Sequence, residues 1–482
     1  MSSTNVITNF FWRFLERCGA QGVTFIVSIV LARLLDPTVY GTVALVTIFT
    51  TIMQVFVDSG MGNALIQKKD ADDLDFSSVF YFNMAMCSAL YLIMFFAAPL
   101  IASFYRMPEL TAIVRVLSFV VVISGVKNVQ QAYVSRHLMF KRFFFSTLGG
   151  TIGAAVIGIA MAYLGFGVWA LVAQMLFNAA VDTTILWITV KWRPKKMFSF
   201  QRLKSLFSYG WKLLVSSLID TVYNDLRQLI IGKKYSSGDL AYYNQGKKFP
   251  QLIVTNINTS IDSVLLPTMS KAQDDMAAVR SMTRRAIKTS TFLMMPAMIG
   301  LAVCAEPLVR LILTEKWLPC VLFLRIFCIT YAFYPIHTAN LNAIKAMGRS
   351  DLFLKLEIIK KTVGIIAILI TMWISVQAMA YSFLVTTILN QIINSWPNKK
   401  LLNYSYLEQI KDMMPQILLS LGMGAAIYAV SFLHLSASLT LLIQIPLGVL
   451  VYWSGSKIFH VESYTYIIEM VKNFKKRKKK QC

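Results

Sequence analysis

The chain has 482 residues, of which 56% are hydrophobic and only 15% charged, with a formal net charge of +24. A soluble protein of this length could not easily carry so apolar a composition, and long apolar runs are the mark of membrane-spanning helices. In a soluble chain the positive charge would suggest nucleic acid. Here most Lys and Arg gather in alternating linkers between apolar segments, which argues against a nucleic-acid partner and for membrane anchoring and contact with lipid headgroups.

Taken in order, about 14 segments are long enough to cross a bilayer, at about 20 residues or more each. They are Asn9–Leu35, Tyr40–Gln67, Ser77–Phe104, Leu110–Tyr133, Phe143–Leu164, Val168–Val190, Leu206–Ile231, Phe249–Met269, Thr289–Leu313, Leu318–Ala346, Phe353–Ile374, Gln377–Trp396, Met413–Leu433 and Ser436–Trp453. Turn chemistry separates them, as at Asp36-Pro37, Met107-Pro108, Ser237-Gly238-Asp239 and Trp396-Pro397. The linkers Lys68–Asp75, Arg136–Arg142, Lys191–Lys212, Lys271–Lys288, Lys345–Lys361 and Lys399–Lys411, and the tail Lys457–Lys480, are rich in Lys and Arg. Cytoplasmic loops carry that excess, so both termini are expected inside. The first helix is expected to be retained, because no basic region and cleavage site frame it as a signal peptide. The last basic run, Lys475 to Lys480, is expected to rest on anionic lipid as a disordered tail.

An internal repeat is expected at an offset of about 202 residues, which aligns Tyr40 with Tyr242, Lys69 with Lys271, Asp72 with Asp274 and Asp73 with Asp275. The implied organisation is an N-terminal six-helix lobe over 1–200, a second over 201–400, two added helices over 401–456 and a basic cytoplasmic tail over 457–482. No linker is long enough for an independent soluble domain. The longest outer loop is expected at Gly232–Lys248.

An ionisable side chain inside a span costs about 2.5–3.5 kcal/mol on insertion scales, so it faces protein or water. The first span carries Arg13, Glu16 and Arg17, the fourth Lys127 beside Asn128, Gln130 and Gln131, the seventh Asp220, Asn224, Asp225 and Arg227, and the tenth Arg325. One reading makes Arg13, Arg17, Lys127, Arg227 and Arg325 the cationic lining of a wet cavity for a phosphate-bearing substrate, since the guanidinium fork binds phosphate oxygens in pairs. The other makes them internal ion pairs or side chains reaching for headgroups. Asp58, Asp220 and Asp225 are candidates for ion coupling, or equally for ties between helices. The six cysteines and four scattered histidines show no metal or redox spacing, and no Gly-x-x-x-x-Gly-Lys phosphate loop occurs. No cofactor, metal or catalytic residue is therefore expected.

Leu31-Ala32-Arg33-Leu34-Leu35-Asp36-Pro37 with Tyr40-Gly41 resembles the first hairpin of bacterial polysaccharide flippases. These are the Wzx-type members of the multidrug/oligosaccharidyl-lipid/polysaccharide exporter superfamily. Ala64 to Lys69, Gly165-Phe166-Gly167-Val168-Trp169-Ala170-Leu171-Val172, Glu306-Pro307 with Lys316-Trp317, and Asn340-Leu341-Asn342 with Gly348 to Leu352 extend the likeness from Phe11 to about Asp412. It looks closest to the colanic-acid and teichuronic-acid exporter branch. The resemblance implies an all-α polytopic fold with two six-helix lobes around a central cavity, working by alternating access. It implies a bacterial inner-membrane protein that moves an undecaprenyl-pyrophosphate-linked oligosaccharide to the outer leaflet, beside the polymerase and glycosyltransferases of the same pathway. A drug/cation antiporter of the same superfamily is the alternative, and a membrane glycosyltransferase or polymerase is disfavoured by the short outer loops. The cationic residues above come from span chemistry and are not carried over from family motifs.

Overall fold

The computed structural model describes residues 3–469 apart from 59, 60, 69 and 138. Its side chains are described from Gly19 onward, except at residues 63, 67, 140, 205, 208, 209, 212, 260, 263, 264 and 350. The described residues are helical and form no strand. The first half holds α1 (Ser3–Leu34), α2 (Pro37–Asp58), α3 (Met61–Gln67), α4 (Asp73–Tyr105), α5 (Leu110–Leu117), α6 (Phe119–Arg136), α7 (Phe140–Tyr163), α8 (Val168–Thr189) and α9 (Phe200–Lys234). The second holds α10 (Ser237–Lys271), α11 (Met276–Val303), α12 (Ala305–Ile312), α13 (Cys320–Ala332), α14 (Tyr334–Ala346), α15 (Ser350–Thr371), α16 (Val376–Leu401), α17 (Tyr406–Ala429) and α18 (Ala437–Ile458).

Among the described residues, ten stretches are long and apolar enough to cross a membrane, counting α5 with α6 and α13 with α14 as one each. Four further helices, α1, α9, α10 and α15, have the length but carry charge or end in side chains outside the described set. The chain is a multi-pass membrane protein. Among the described residues three expected single spans are interrupted: Leu110–Tyr133 at Ser118, Thr289–Leu313 at Cys304 and Leu318–Ala346 at Phe333. The expected outer loop Gly232–Lys248 is not a loop. α9 runs on to Lys234 and α10 starts at Ser237, because Ser236 and Asp239 cap the new helix reciprocally (Asp239 N–H to Ser236 Oγ 3.0 Å, Ser236 Oγ to Asp239 Oδ2 2.7 Å).

Two compact units divide the chain, Met1–Ala241 and Tyr242–Cys482. In the first, α7 and α8 lie close because α7 presents Gly150 and Gly153 to its neighbour. A Cβ on Gly150 would sit 2.9 Å from Asn178 Oδ1 and 3.2 Å from Asp182 Cβ, and one on Gly153 2.8 Å from the Phe177 ring. Small residues are how membrane helices bring backbones together when burial in lipid gives no hydrophobic drive. Val27 and Leu31 of α1, with Leu35 just after it, pack with Ala155 and Ala162 of α7 and with Ala170 and Leu171 of α8. A second core joins Met61 and Leu65 of α3, Phe76 of α4, Val129 of α6, Leu186 of α8 and Leu203 of α9, so α9 belongs to this unit although the repeat would start a new block there.

In the second unit Phe292 of α11, Met423 of α17, Tyr452 of α18 and Val461 share a core. Residues 462–469 are helical and fixed to the unit by Lys288–Glu462 (2.6 Å), while residues 470–482 lie outside the described set. Asp72 and Asp275 N-cap α4 and α11, the helices that follow the two linkers of the expected repeat.

Candidate functional site

The polar residues of the first unit converge between α2, α4, α6 and α8. Lys127 and Asn128 are consecutive on α6, so they leave the helix about 100° apart and reach different neighbours. Lys127 Nζ donates to Asp182 Oδ2 on α8 at 2.9 Å, with 17% and 14% of the two side chains accessible. Asn128 Oδ1 accepts from Asn83 Nδ2 of α4 at 3.1 Å, and both amides are buried. Two glycines make room. A Cβ on Gly62 would stand 3.4 Å from Asn128 Oδ1, and one on Gly125 would stand 2.7 Å from Cys87 Sγ. Asp58, the last residue of α2, accepts from Gln54 Nε2 at 3.3 Å and lies within electrostatic reach of Lys127. Here an ammonium has one carboxylate in contact and a second within electrostatic reach, beside a buried amide pair, in apolar helices. Chemically such an arrangement can take an anion in place of a carboxylate, or a small cation in place of the ammonium.

Of the residues expected from sequence, the structure thus brings Lys127 and Asp58 together. Asp220, Asp225 and Arg227 share α9 in the same unit, where Arg227 is buried and Asp225 accepts from Gln228 Nε2 at 2.8 Å. Arg325 lies in the second unit, on α13, exposed and donating to the Ala302 carbonyl in the last turn of α11 at 3.3 Å. That contact places a cation on a helix C-terminus. The side chains of Arg13 and Arg17 lie outside the described residues, on α1. Sequence reasoning missed Asp182, although it breaks an otherwise apolar span in the same way as Lys127.

It also missed a second cluster. On α14 of the second unit, His337 Nδ1 lies 2.7 Å from Asn394 Nδ2 of α16, and Asn342 donates to Asp262 Oδ1 of α10 at 2.5 Å. Lys360, buried on α15, is neutralised by Glu357 one turn earlier at 2.6 Å. Asn340 is the hub of a buried amide knot, donating to Gln409 Oε1 (2.7 Å) and Ser395 Oγ (3.0 Å) and accepting from Asn398 Nδ2 (2.6 Å). Among the described residues, no group of His, Cys, Asp and Glu is arranged to hold a metal ion.

The recognisable motifs have physical explanations here. Gly165 and Gly167 take left-handed φ of +80° and +53° in the turn between α7 and α8, and Gly348 takes +69° between α14 and α15. Gly41 admits the backbone of Ser237, whose carbonyl oxygen a Cβ would strike. Arg349 and Asp351 form a bidentate pair, with both contacts at 2.9 Å.

Comparison with known proteins agrees with this fold. A family profile described as "Polysaccharide biosynthesis protein" matches residues 30–322, and the chain belongs to that family. Its relatives include the succinoglycan biosynthesis transport protein ExoT of Rhizobium meliloti (strain 1021), 24% identical over 66% of this chain and 64% of that one. The chain thus spans just under two thirds of that relative's length. The teichuronic acid biosynthesis protein TuaB of Bacillus subtilis (strain 168) is 22% identical over 84% and 85% of the two chains. The lipopolysaccharide biosynthesis protein WzxC of Escherichia coli (strain K12) is 24% identical over 87% and 86%. Among solved structures the fold matches the lipid II flippase MurJ in an inward closed conformation, with a TM-score of 0.73 at 18% identity over 95% of this chain and 99% of that one. It also matches an inward-facing multidrug resistance MATE family transporter of the MOP superfamily, with a TM-score of 0.63 at 14% identity over 81% and 98%.

Proposed function

We propose that the protein flips an undecaprenyl-pyrophosphate-linked oligosaccharide from the cytoplasmic to the outer leaflet of a bacterial cell membrane, by alternating access between two six-helix lobes. The observation that carries this reading is Lys127: an ammonium kept inside a candidate span, where charge is costly, paired with Asp182 and within electrostatic reach of Asp58. A pyrophosphate with several sugars cannot cross hydrocarbon, because each polar group would lose water without replacement. A wet cationic site removes that barrier while the polyprenyl tail stays in lipid. With the cytoplasm negative, outward movement of the anion gains about 2.3 kcal/mol per charge per 100 mV.

In this reading Arg13, Arg17, Arg227 and Arg325 are further cationic contacts along the path, and Asp58, Asp220 and Asp225 serve ion coupling. Helices α1, α9, α10 and α15 complete a set of about 14 spans with both termini in the cytoplasm. The lobes follow the repeat, 1–200 and 201–400, with 401–456 and the tail added. The protein works beside a polysaccharide polymerase and glycosyltransferases, and lipid rather than nucleic acid is its surroundings.

The test is delivery of lipid-linked glycan to the outer leaflet in cells carrying Gln at position 13, 17, 127 or 227. Delivery is expected to fall with protein abundance unchanged, and Lys in place of each Arg is expected to retain part of it. Normal delivery by the Gln variants would defeat the cationic path. The MATE-like fold favours one rival, drug/cation antiport, and the same series separates the two, since removing positive charge should help a cationic substrate. For orientation, cysteines at Thr38 and Phe166 in a cysteine-free background are expected to react with an impermeant thiol reagent from outside, and cysteines at Lys195 and Lys400 are not.

A further inference from the structure

We infer that Asp182 is the resident anion of the Lys127 site: it neutralises the ammonium while the site is empty and gives it up to the phosphate of the arriving substrate. This rests on the flippase reading above. An ammonium inside a span needs a counter-charge at every stage of a transport cycle, because an uncompensated one is expensive. Asp182 supplies it between substrates.

The manner of pairing marks this contact as exchangeable. Asp182 touches Lys127 through Oδ2 alone, and among the described residues its carboxylate has no second hydrogen-bond donor. Carboxylates that serve structure in this protein are bound differently. Asp412 takes two bonds from Arg284 (2.7 and 2.8 Å) and one from the Tyr404 hydroxyl (2.7 Å), with Lys288 at 3.5 Å. Asp75 is fully buried and takes both oxygens' worth of contact from Lys68, at 2.7 and 2.6 Å. Against those, the Lys127–Asp182 pair is held by one bond.

Its position is nevertheless fixed. Gly150 of α7 lies against Asp182 Cβ, so α8 cannot carry the carboxylate away from α6 without unpacking α7. A phosphate brings more oxygens and more charge than one carboxylate, so it competes for a three-donor ammonium on favourable terms. Asp58, held by a single 3.3 Å bond from Gln54, is the second acid near the same ammonium. It keeps the site from being strongly cationic once Asp182 is displaced, which favours release on the far side.

The experiment measures binding of undecaprenyl pyrophosphate, with undecaprenol as the uncharged control, to purified protein in nanodiscs. Wild type is expected to prefer the pyrophosphate. Asp182→Asn should tighten pyrophosphate binding at least about fivefold by removing the competing anion, and should leave undecaprenol binding alone. Lys127→Gln should abolish the preference. If wild type does not prefer the pyrophosphate, the flippase reading fails; if it does, and Asp182→Asn binds no more tightly, only the displacement idea fails. A measurement on wild type guards against a variant that does not fold: carbodiimide labelling of the peptide bearing Asp182 should rise when undecaprenyl pyrophosphate is added. Unchanged or reduced labelling at saturation would overturn the proposal.

Discussion

The two units carry polar side chains on equivalent helices but give them opposite chemistry. Lys127 on α6 and His337 on α14 stand equally far from their helix ends at Arg136 and Ala346. Their partners, Asp182 on α8 and Asn394 on α16, stand equally far from Thr189 and Leu401. One contact is an ion pair at 2.9 Å, and the other a neutral imidazole–amide contact at 2.7 Å. A neutral hydrogen bond inside apolar helices stabilises them without a charge to desolvate, whereas a largely buried ion pair must first repay the desolvation of both charges. On the proposed function, the same geometry serves packing in the second unit and ligand chemistry in the first.

The largest expected effect breaks or secures that contrast directly. Lys127→Gln should reduce glycan delivery at least about 30-fold, equivalent to about 2 kcal/mol, while His337→Gln should change it less than about threefold. Outer-leaflet delivery normalised to protein abundance measures both. Equal losses at the two positions would show that the second cluster also handles substrate.

The stability ranking should run the other way. Asn394→Ala strands His337 without its partner and should cost about 1–3 kcal/mol. The double variant Lys127→Met/Asp182→Leu should cost about 0–1 kcal/mol, because removing both charges together strands neither. Apparent Tm in detergent compares the two variants against wild type. A larger drop for the double variant would mean that the charged pair is structural after all.

Much of this was legible in sequence, and the failures share one cause. Apolar runs placed the helices because membrane length fixes them, and Gly41, Gly165, Gly167 and Gly348 marked turns and close approaches that no other residue fits. Lys127 and Asp58 stood out as charges in apolar segments. What a single charge does not reveal is its partner: Asp182 lies on another helix, and only the packing of α6 against α8 joins them. The breaks at Ser118 and Phe333 were invisible because hydropathy runs through them unchanged, and the start of α10 was hidden because Tyr, Asn and Lys read as loop. Arg325 stood out as a charge in a span, and its contact with the Ala302 carbonyl is a backbone partner that no side-chain pattern announces.

The smallest contrast concerns the equivalent caps Asp72 and Asp275. Asp72 accepts from the Asp75 N–H at 3.0 Å, and Asp75 returns a bond to the Asp72 N–H at 3.2 Å, whereas Asp275 makes only the forward bond, to the Ala278 N–H at 2.9 Å. The Asp75 N–H, helped by the Arg202 charge, holds the Asp72 carboxyl below its usual range. A group depressed in the folded state stabilises above its unfolded pKa, and that contribution is lost as pH falls through the folded value. Asp72→Ala should cost about 1 kcal/mol near neutral pH, and Asp275→Ala about 0.5 kcal/mol. Asp72→Asn keeps a capping oxygen without the charge, so its Tm should trail wild type at pH 7 and converge with it as the pH approaches 3. A gap that stays constant over that range would show that the charge of Asp72 adds nothing to the cap, and the two helix starts would then be equivalent in strength as well as in place.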